Sequence, residues 1–329
     1  MSEAPDIMGN RILVTGASGW LGIAIVQALL ARGDDVIGTD LRAASGVSSV
    51  LAARHPRFDF LEADLTEWPQ VMELFRNHRP DLVIHAAAVV GVASAAEAPL
   101  NTLRANVDGS VNLLEAMRFH DVSRVVYLST EETYGDFDAD LIDEEHSQKP
   151  TSIYGLTKLA AEHYGRVYAQ RYGMEFVTVR TCWVYGPHLP RPRVPKIFVD
   201  AALAGIPCHL EAGADMAVDQ VYIDDVVAGV LLALDKPSHR YDAYHIATGQ
   251  APTLGDVARV VRELVPGADV SVAPGRYLHG NRYPTARKGA LDISRARTEL
   301  GYEPKYDLRL GLAKTIDATR EELALSLRR

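Results

Sequence analysis

Tyr154 and Lys158 stand four residues apart in Tyr154-Gly155-Leu156-Thr157-Lys158, the one Tyr-x-x-x-Lys spacing in 329 residues. On a helix that spacing sets a phenol and an ammonium on one face, a turn apart. A neighbouring cation favours the phenolate, so Lys158 and a positively charged hydride acceptor together are expected to draw Tyr154 down from the ordinary tyrosine value near ~10. A phenolate takes the proton from an alcohol while a hydride leaves the same carbon for a separate acceptor. The spacing alone also fits a surface tyrosine packed on a lysine stem. Its position favours chemistry, because it follows an apolar run ending in Ser129-Thr130 and lies in a stretch, 152–172, that reads as helix.

A hydride acceptor is suggested near the start of the chain. Thr15-Gly16-Ala17-Ser18-Gly19-Trp20-Leu21-Gly22 follows an apolar run and opens an amphipathic stretch. Glycines so spaced permit a tight turn, close approach of a pyrophosphate, and close packing of helix on strand. The helix N-terminus then offers N–H groups and a favourable dipole to phosphates. Asp40, 24 residues after Gly16, ends the second apolar run, where a carboxylate accepts hydrogen bonds from ribose hydroxyls and repels a 2′-phosphate. NAD is therefore expected over NADP, with Arg42 nearby softening the preference. Asp64, in Ala63-Asp64-Leu65, ends the third run at a natural place to meet the adenine edge.

These residues need a scaffold, and the pattern supplies one. Runs at 11–15, 35–39, 58–62, 81–87, 124–129 and 176–181 are nearly continuous in Val, Ile and Leu, as strands covered on both faces are. Helical stretches lie between them, clearest at 20–32, 100–120 and 152–172, with Gly33 and Gly173 where left-handed caps belong. Strand and helix alternating in this way predict an α/β fold, a doubly wound parallel sheet of the Rossmann kind. After Gly186 the proline-rich basic segment GPHLPRPRVP reads as loop, and further helices are expected at 196–204, 223–234, 253–265 and 294–300. Residues 1–186 are read as an NAD-binding domain that also carries the catalytic residues. Residues 187–329 are read mainly as a smaller α/β substrate lobe, with one or two elements free to return to the first sheet.

Composition narrows the classes. A formal net charge of −9 disfavours a nucleic-acid partner. No apolar run approaches the ~20 residues of a membrane span, and the first ten residues do not read as a secretory signal. Two cysteines, Cys182 and Cys208, lack metal-ligand spacing, so no metal is expected. A cytoplasmic protein with a small-molecule substrate is the expectation.

The same motifs, with HAAA at 85–88, NVDGSVNLLEA at 106–116, STEETYG at 129–135, VRTCWVYGP at 179–187, YIDDV at 222–226 and LGYEP at 300–304, span nearly the whole chain. Together they resemble the extended short-chain dehydrogenase/reductase family, in particular its NAD-dependent epimerase/dehydratase branch. The resemblance implies that Gly16, Ser18, Gly19, Trp20, Leu21, Gly22, Asp40, Asp64, Leu65, Ala86, Ala87 and Ser129 hold NAD together with Tyr154 and Lys158. It implies that Thr130 hydrogen-bonds the reacting oxygen, that Asn106 helps orient Lys158, and that the protein is a homodimer. Glu131 and Glu132 sit where sugar dehydratases carry an Asp-Glu pair. They supply either a second acid/base step or a polar pocket wall.

Two departures concern the substrate. Members that bind a nucleoside-diphosphate sugar usually have asparagine before the Val-Tyr-Gly-Pro turn and a diphosphate-clamping arginine before the Tyr-Ile-Asp-Asp segment; here Trp183 and Val218 stand there, and Asp219 would add repulsion. Trp183 either stacks on a substrate ring or packs in the core. Arg191 and Arg193, with Lys196 near them, offer a substitute anion grip, as do Arg276, Arg282 and Arg287. The expected function is NAD-linked hydride transfer at a secondary hydroxyl of a sugar-like substrate. A nucleotide-sugar epimerase or dehydratase with tightly held NAD, and a non-catalytic NAD-binding sensor or scaffold, are the alternatives.

Overall fold

The computed structural model describes residues 10–42, 55–280 and 282–326. The first nine residues, in which no signal was expected, lie outside that range. Along the chain run β1 (Arg11–Thr15), helix Trp20–Arg32, β2 (Asp35–Asp40), β3 (Phe58–Glu62), helix Trp68–His78 and β4 (Leu82–His85). Helix Gly109–Phe119, β5 (Arg124–Thr130), β6 (Leu141–Ile142), helix Ile153–Tyr172, β7 (Glu175–Thr181) and β8 (Trp183–Tyr185) follow. The remainder holds β9 (Cys208–Leu210), β10 (Gln220–Tyr222), β11 (Ala243–Ile246), β12 (Val270–Val272), β13 (Leu278–His279), β14 (Tyr283–Pro284) and β15 (Ala290–Leu291). Helices Lys196–Ala204, Ile223–Asp235, Leu254–Leu264, Ser294–Leu300 and Leu308–Ser326 lie among and after them.

Seven strands form one parallel sheet in the order β11-β7-β5-β4-β1-β2-β3. The order reverses direction beside β1, which is the doubly wound arrangement. β11 has no counterpart among the six strands expected from the sequence, and neither has the final helix.

Two compact units divide the chain. The first comprises the residues up to Val89, Leu100–Leu128 and Ala160–Val177. Its core joins Leu13, Ile37, Val83 and Val125 of the strands to Phe75, Leu113, Met117 and Phe176. Full burial of each such side chain contributes about 1.5–3 kcal/mol. Gly165 lets the helix lie directly on the Phe176 ring, since a Cβ there would come within 2.3 Å of it.

The stretch 100–120, read as one helix, is broken. A helix Pro99–Leu103 runs into a π-turn, Arg104–Asp108, before Gly109–Phe119 resumes. The cause is Asn106, whose Oδ1 accepts from Val89 N at 2.7 Å and whose Nδ2 donates to Val89 O at 3.0 Å. Ser110 Oγ donates to Asn106 O at 2.6 Å. A widened turn of this kind commonly marks a functional position.

The second unit comprises Val90–Pro99, Ser129–Leu159 and the chain from Thr178. It carries the parallel ladders β8–β10, β9–β12 and β6–β15 and the β13–β14 hairpin. A buried polar network stiffens it. Arg180 donates to the Tyr134 hydroxyl at 2.7 Å, that hydroxyl lies 2.6 Å from His245 Nε2, and His245 N donates to Glu144 at 2.8 Å. Burial, reinforced by Arg180, pushes His245 down to about 3, so it stays a neutral link. Among the described residues no helix is long and apolar enough to cross a membrane.

Candidate active site

In the first unit β1 ends at Thr15 and the chain turns through Gly16, at φ 70°, into the helix that starts at Trp20. A side chain on Gly16 would strike the backbone of Ala86 and Ala87, at 2.7–2.8 Å. One on Gly22 would lie 2.0 Å from the Gly16 carbonyl oxygen. Both glycines are therefore required by contact as well as by conformation. The helix has neither a side-chain cap nor an acidic residue in its first turn. That leaves its N-terminal dipole directed at the turn, which is the arrangement a pyrophosphate fits.

Asp40 accepts from Ser18 N at 3.1 Å and from Leu41 N at 2.8 Å, tying the end of β2 to the glycine turn. Burial raises its carboxyl above the usual range, against these two backbone bonds. Asp64 spends Oδ1 on Thr66 N and Oγ1, both at 2.8 Å, and so fixes the turn that presents Leu65. The residues fit a dinucleotide. Gly22→Ala is expected to cost about 1–3 kcal/mol, because the opposing oxygen is main chain and cannot swing aside. NAD titration and a thermal melt check it, and unchanged affinity with an unchanged melting temperature would refute the packing argument.

In the second unit Thr130 ends β5 and caps the short turn Glu131–Thr133, its Oγ1 accepting from Glu132 N at 3.3 Å and donating to Glu131 Oε2 at 3.2 Å. The helix carrying Tyr154 and Lys158 packs onto this turn at Gly155, where a Cβ would come within 2.3 Å of Glu132 O. Tyr154, Lys158, Thr130, Glu131 and Glu132 are all buried, as is Ser129. Among the protein's own groups, burial prevails at Tyr154. Burial raises its phenol above the ordinary range, opposed first by Arg191, reinforced by Glu131 and Glu132, and opposed again by Arg193. Dehydration outweighs neighbouring positive charge here.

Burial also pushes Glu131 up to about 7, with Lys288 opposing and Glu132 reinforcing the shift. Glu131 thus holds its proton more tightly folded than unfolded. Its contribution to stability is complete below about 4.5 and is lost as pH rises through about 7. Glu131→Gln should flatten that part of the profile, so the variant gains on the wild type as pH rises. Thermal melts between about pH 5 and about pH 8 test this, and parallel profiles would count against it.

Glu132 pairs with Lys288 Nζ at 3.1 Å, and the lysine side chain is fully buried. Sequence reasoning missed Lys288, which has no local motif and reaches Glu132 from 156 residues further along the chain. Tyr277 and His279 were missed for the same reason. They flank Trp183, with ring centroids 5.7 and 5.8 Å from it, and Arg193 lies over the indole at 4.7 Å. Trp183 is thus a buried platform with protein groups against it.

The other basic residues do not join this group. Lys196 pairs with Asp200 one helical turn on. Arg287 bonds Asp140 and Phe137 O, Arg276 donates to Thr285 O at 3.5 Å, and Arg282 lies over Tyr283. Asp219 faces donors of the protein itself. It is fully buried and accepts from Thr248 Oγ1 and N and from Gly249 N, at 2.6–3.0 Å.

A dinucleotide turn at the end of β1 and a buried tyrosine–lysine pair after β5 define a nicotinamide-dependent oxidoreductase of the short-chain type. Residues 12–247 match the model of the NAD dependent epimerase/dehydratase family. The UDP-glucose 4-epimerase of Mycolicibacterium smegmatis is 30% identical over 317 residues, 95% of this chain and 99% of the relative. The dTDP-glucose 4,6-dehydratase of an Actinoplanes species is 28% identical over 319 residues, 93% of this chain and 96% of the relative. The structure of Thermus thermophilus UDP-glucose 4-epimerase in complex with NAD aligns with a TM-score of 0.83 and 32% identity, over 94% of this chain and 99% of that one. The chain belongs to the NAD-dependent epimerase/dehydratase family, and it is an NAD-dependent enzyme. The non-catalytic alternative is overturned, because these full-length relatives are enzymes.

Proposed function

We propose that the protein oxidises a secondary hydroxyl of a sugar or sugar-derived substrate at a Tyr154–Lys158–Thr130 site. Tyr154 takes the hydroxyl proton as the hydride leaves the same carbon, giving a ketone. NAD, when bound, supplies the hydride acceptor. Thr130 aligns the reacting oxygen, Lys158 and Asn106 order the tyrosine's surroundings, and Glu131 offers a second proton carrier. The adenosine and pyrophosphate of the cofactor are assigned to Gly16, Ser18, Gly19, Trp20, Leu21, Gly22, Asp40, Asp64, Leu65, Ala86 and Ala87, and its reacting end to Ser129, Tyr154 and Lys158. The observation that carries this reading is the burial of Tyr154 and Lys158 on one helix face held against Thr130–Glu132 by Gly155.

Family membership favours return of the hydride to the substrate over its release. Purified protein should then carry nicotinamide and convert sugars without added cofactor, seen by product analysis. Steady NADH release with no retained nicotinamide would make it a simple dehydrogenase. The named substrates of the relatives make a UDP- or dTDP-sugar the second reading, tested by calorimetry with each. A cytoplasmic homodimer is also proposed. The exposed Leu156, Tyr164 and Val167 on helix Ile153–Tyr172 support the dimer, which light scattering would test.

A further inference from the structure

Around Trp183 the second unit holds polar side chains for which proton and hydride transfer have no use. Arg193 is half-buried as a residue, yet its Nε and Nη2 are shut off from solvent with no hydrogen-bond partner among the described residues. His279 Nε2, against the same indole, is in the same condition. Gln220 is in register with Trp183 across the β10–β8 ladder, so both side chains leave one face of it. Both polar atoms of the Gln220 amide are buried and unpartnered too. Each such group has lost its water without gaining a partner, a cost that a polar ligand would remove. Several around one platform mark a place where a polar ligand belongs.

The geometry of the guanidinium narrows the ligand. Nε and Nη2 share one edge of the plane, and their N–H bonds run parallel, the fork that grips a carboxylate side-on. Arg191 stands beside this edge in charge and sequence. Its Nη1 lies where a Cβ on Gly91 would come within 2.7 Å, and Gly91 adopts φ 105°, so the chain makes room for it. Arg191 also acts electrostatically on the Tyr154 phenol, which puts positive charge next to the reacting centre.

Charge favours an anionic ligand. Arg193 and Lys288 act on Glu131, Arg191 acts on Arg193 and Tyr154, and Lys288 pairs with Glu132. Two guanidinium groups thus stand near a single further carboxylate, Glu131, an imbalance that suits an anionic ligand. At the position where nucleotide-sugar enzymes keep their diphosphate-clamping arginine stands Val218, buried.

We propose that the substrate bears a carboxylate close to its reacting carbon, held by Arg193 and Arg191 over Trp183, and is therefore a sugar acid, free or nucleotide-linked. The proposal rests on the hydride-transfer reading. The test uses pairs that differ only in carboxylate against hydroxymethyl: D-glucuronate with D-glucose, and UDP-glucuronate with UDP-glucose. Glucose 6-phosphate serves as the alternative anion. Turnover is followed by product analysis, and binding to the NAD-loaded enzyme by calorimetry.

The acid should exceed its neutral partner by about 100-fold in kcat/KM or in affinity in at least one pair. Arg193→Met should erase that preference mainly through KM, and Arg193→Lys should restore only part of it. The wild-type pairs carry the test even if a variant misfolds. Turnover of neutral sugars at least as good as of the acids keeps the hydride reading and overturns this one. An acid that binds through Arg193 without any turnover does the reverse. Tighter binding of glucose 6-phosphate than of either acid, or no binding of either acid, overturns the carboxylate assignment.

Discussion

Tyr154→Phe lowers kcat by about 10²–10⁴-fold while NAD affinity and the melting temperature hold steady. The ring stays, so the buried packing of helix Ile153–Tyr172 is unchanged, and only the proton acceptor is removed. The expected size follows from what a positioned acid or base contributes to a proton-transfer transition state. Tyr154 rests as a neutral phenol, because burial raises it and Glu131 and Glu132 add to that shift. Positive charge must be brought against it before it can act, and Arg191 is the largest such influence among the protein's side chains. Single-turnover measurements with NAD titrated separately would resolve the rate from binding. If Tyr154→Phe retains a tenth or more of the wild-type rate, the proton goes elsewhere, with Glu131 the first candidate.

Asp219→Ala is expected to cost about 3 kcal/mol or more in stability. The carboxylate is fully buried and receives Thr248 N, Thr248 Oγ1 and Gly249 N, with Leu291 N at 3.4 Å and Cys182 Sγ at 3.5 Å. Removing it strands main-chain donors that water cannot reach, at about 1–3 kcal/mol each. For a chain of this size such a loss lowers the melting temperature by roughly 4–5 °C. Calorimetric melts of the variant and the wild type measure it directly. A shift of a degree or less would mean that the donors find other partners. Asp219 is a joint between β10, the residues after β11, and β15.

The legible features were local ones. Glycines at 16 and 22 are needed because backbone meets backbone there, and that demand is written in residue type. Tyr154 and Lys158 share a helix face because of their spacing, and the apolar strands of the sheet show as continuous runs because both their faces are covered. The homogeneous helix expected over 100–120 failed at Asn106, where a side-chain clasp on Val89 outweighs the local preference for a regular helix.

Sequence by itself thus determined the class of fold, the cofactor turn and the tyrosine–lysine chemistry, since each rests on contacts within a turn or along one element. Only tertiary structure decided what surrounds that chemistry. Lys288 reaching Glu132, His279 and Tyr277 against Trp183, the buried fork of Arg193 and the role of Asp219 all join residues distant in the chain. Their meaning comes from burial, which raises Tyr154 among the protein's own groups and moves Glu131 up to about 7. Dehydration depends on what closes over a group, and no spacing along one strand or helix encodes it.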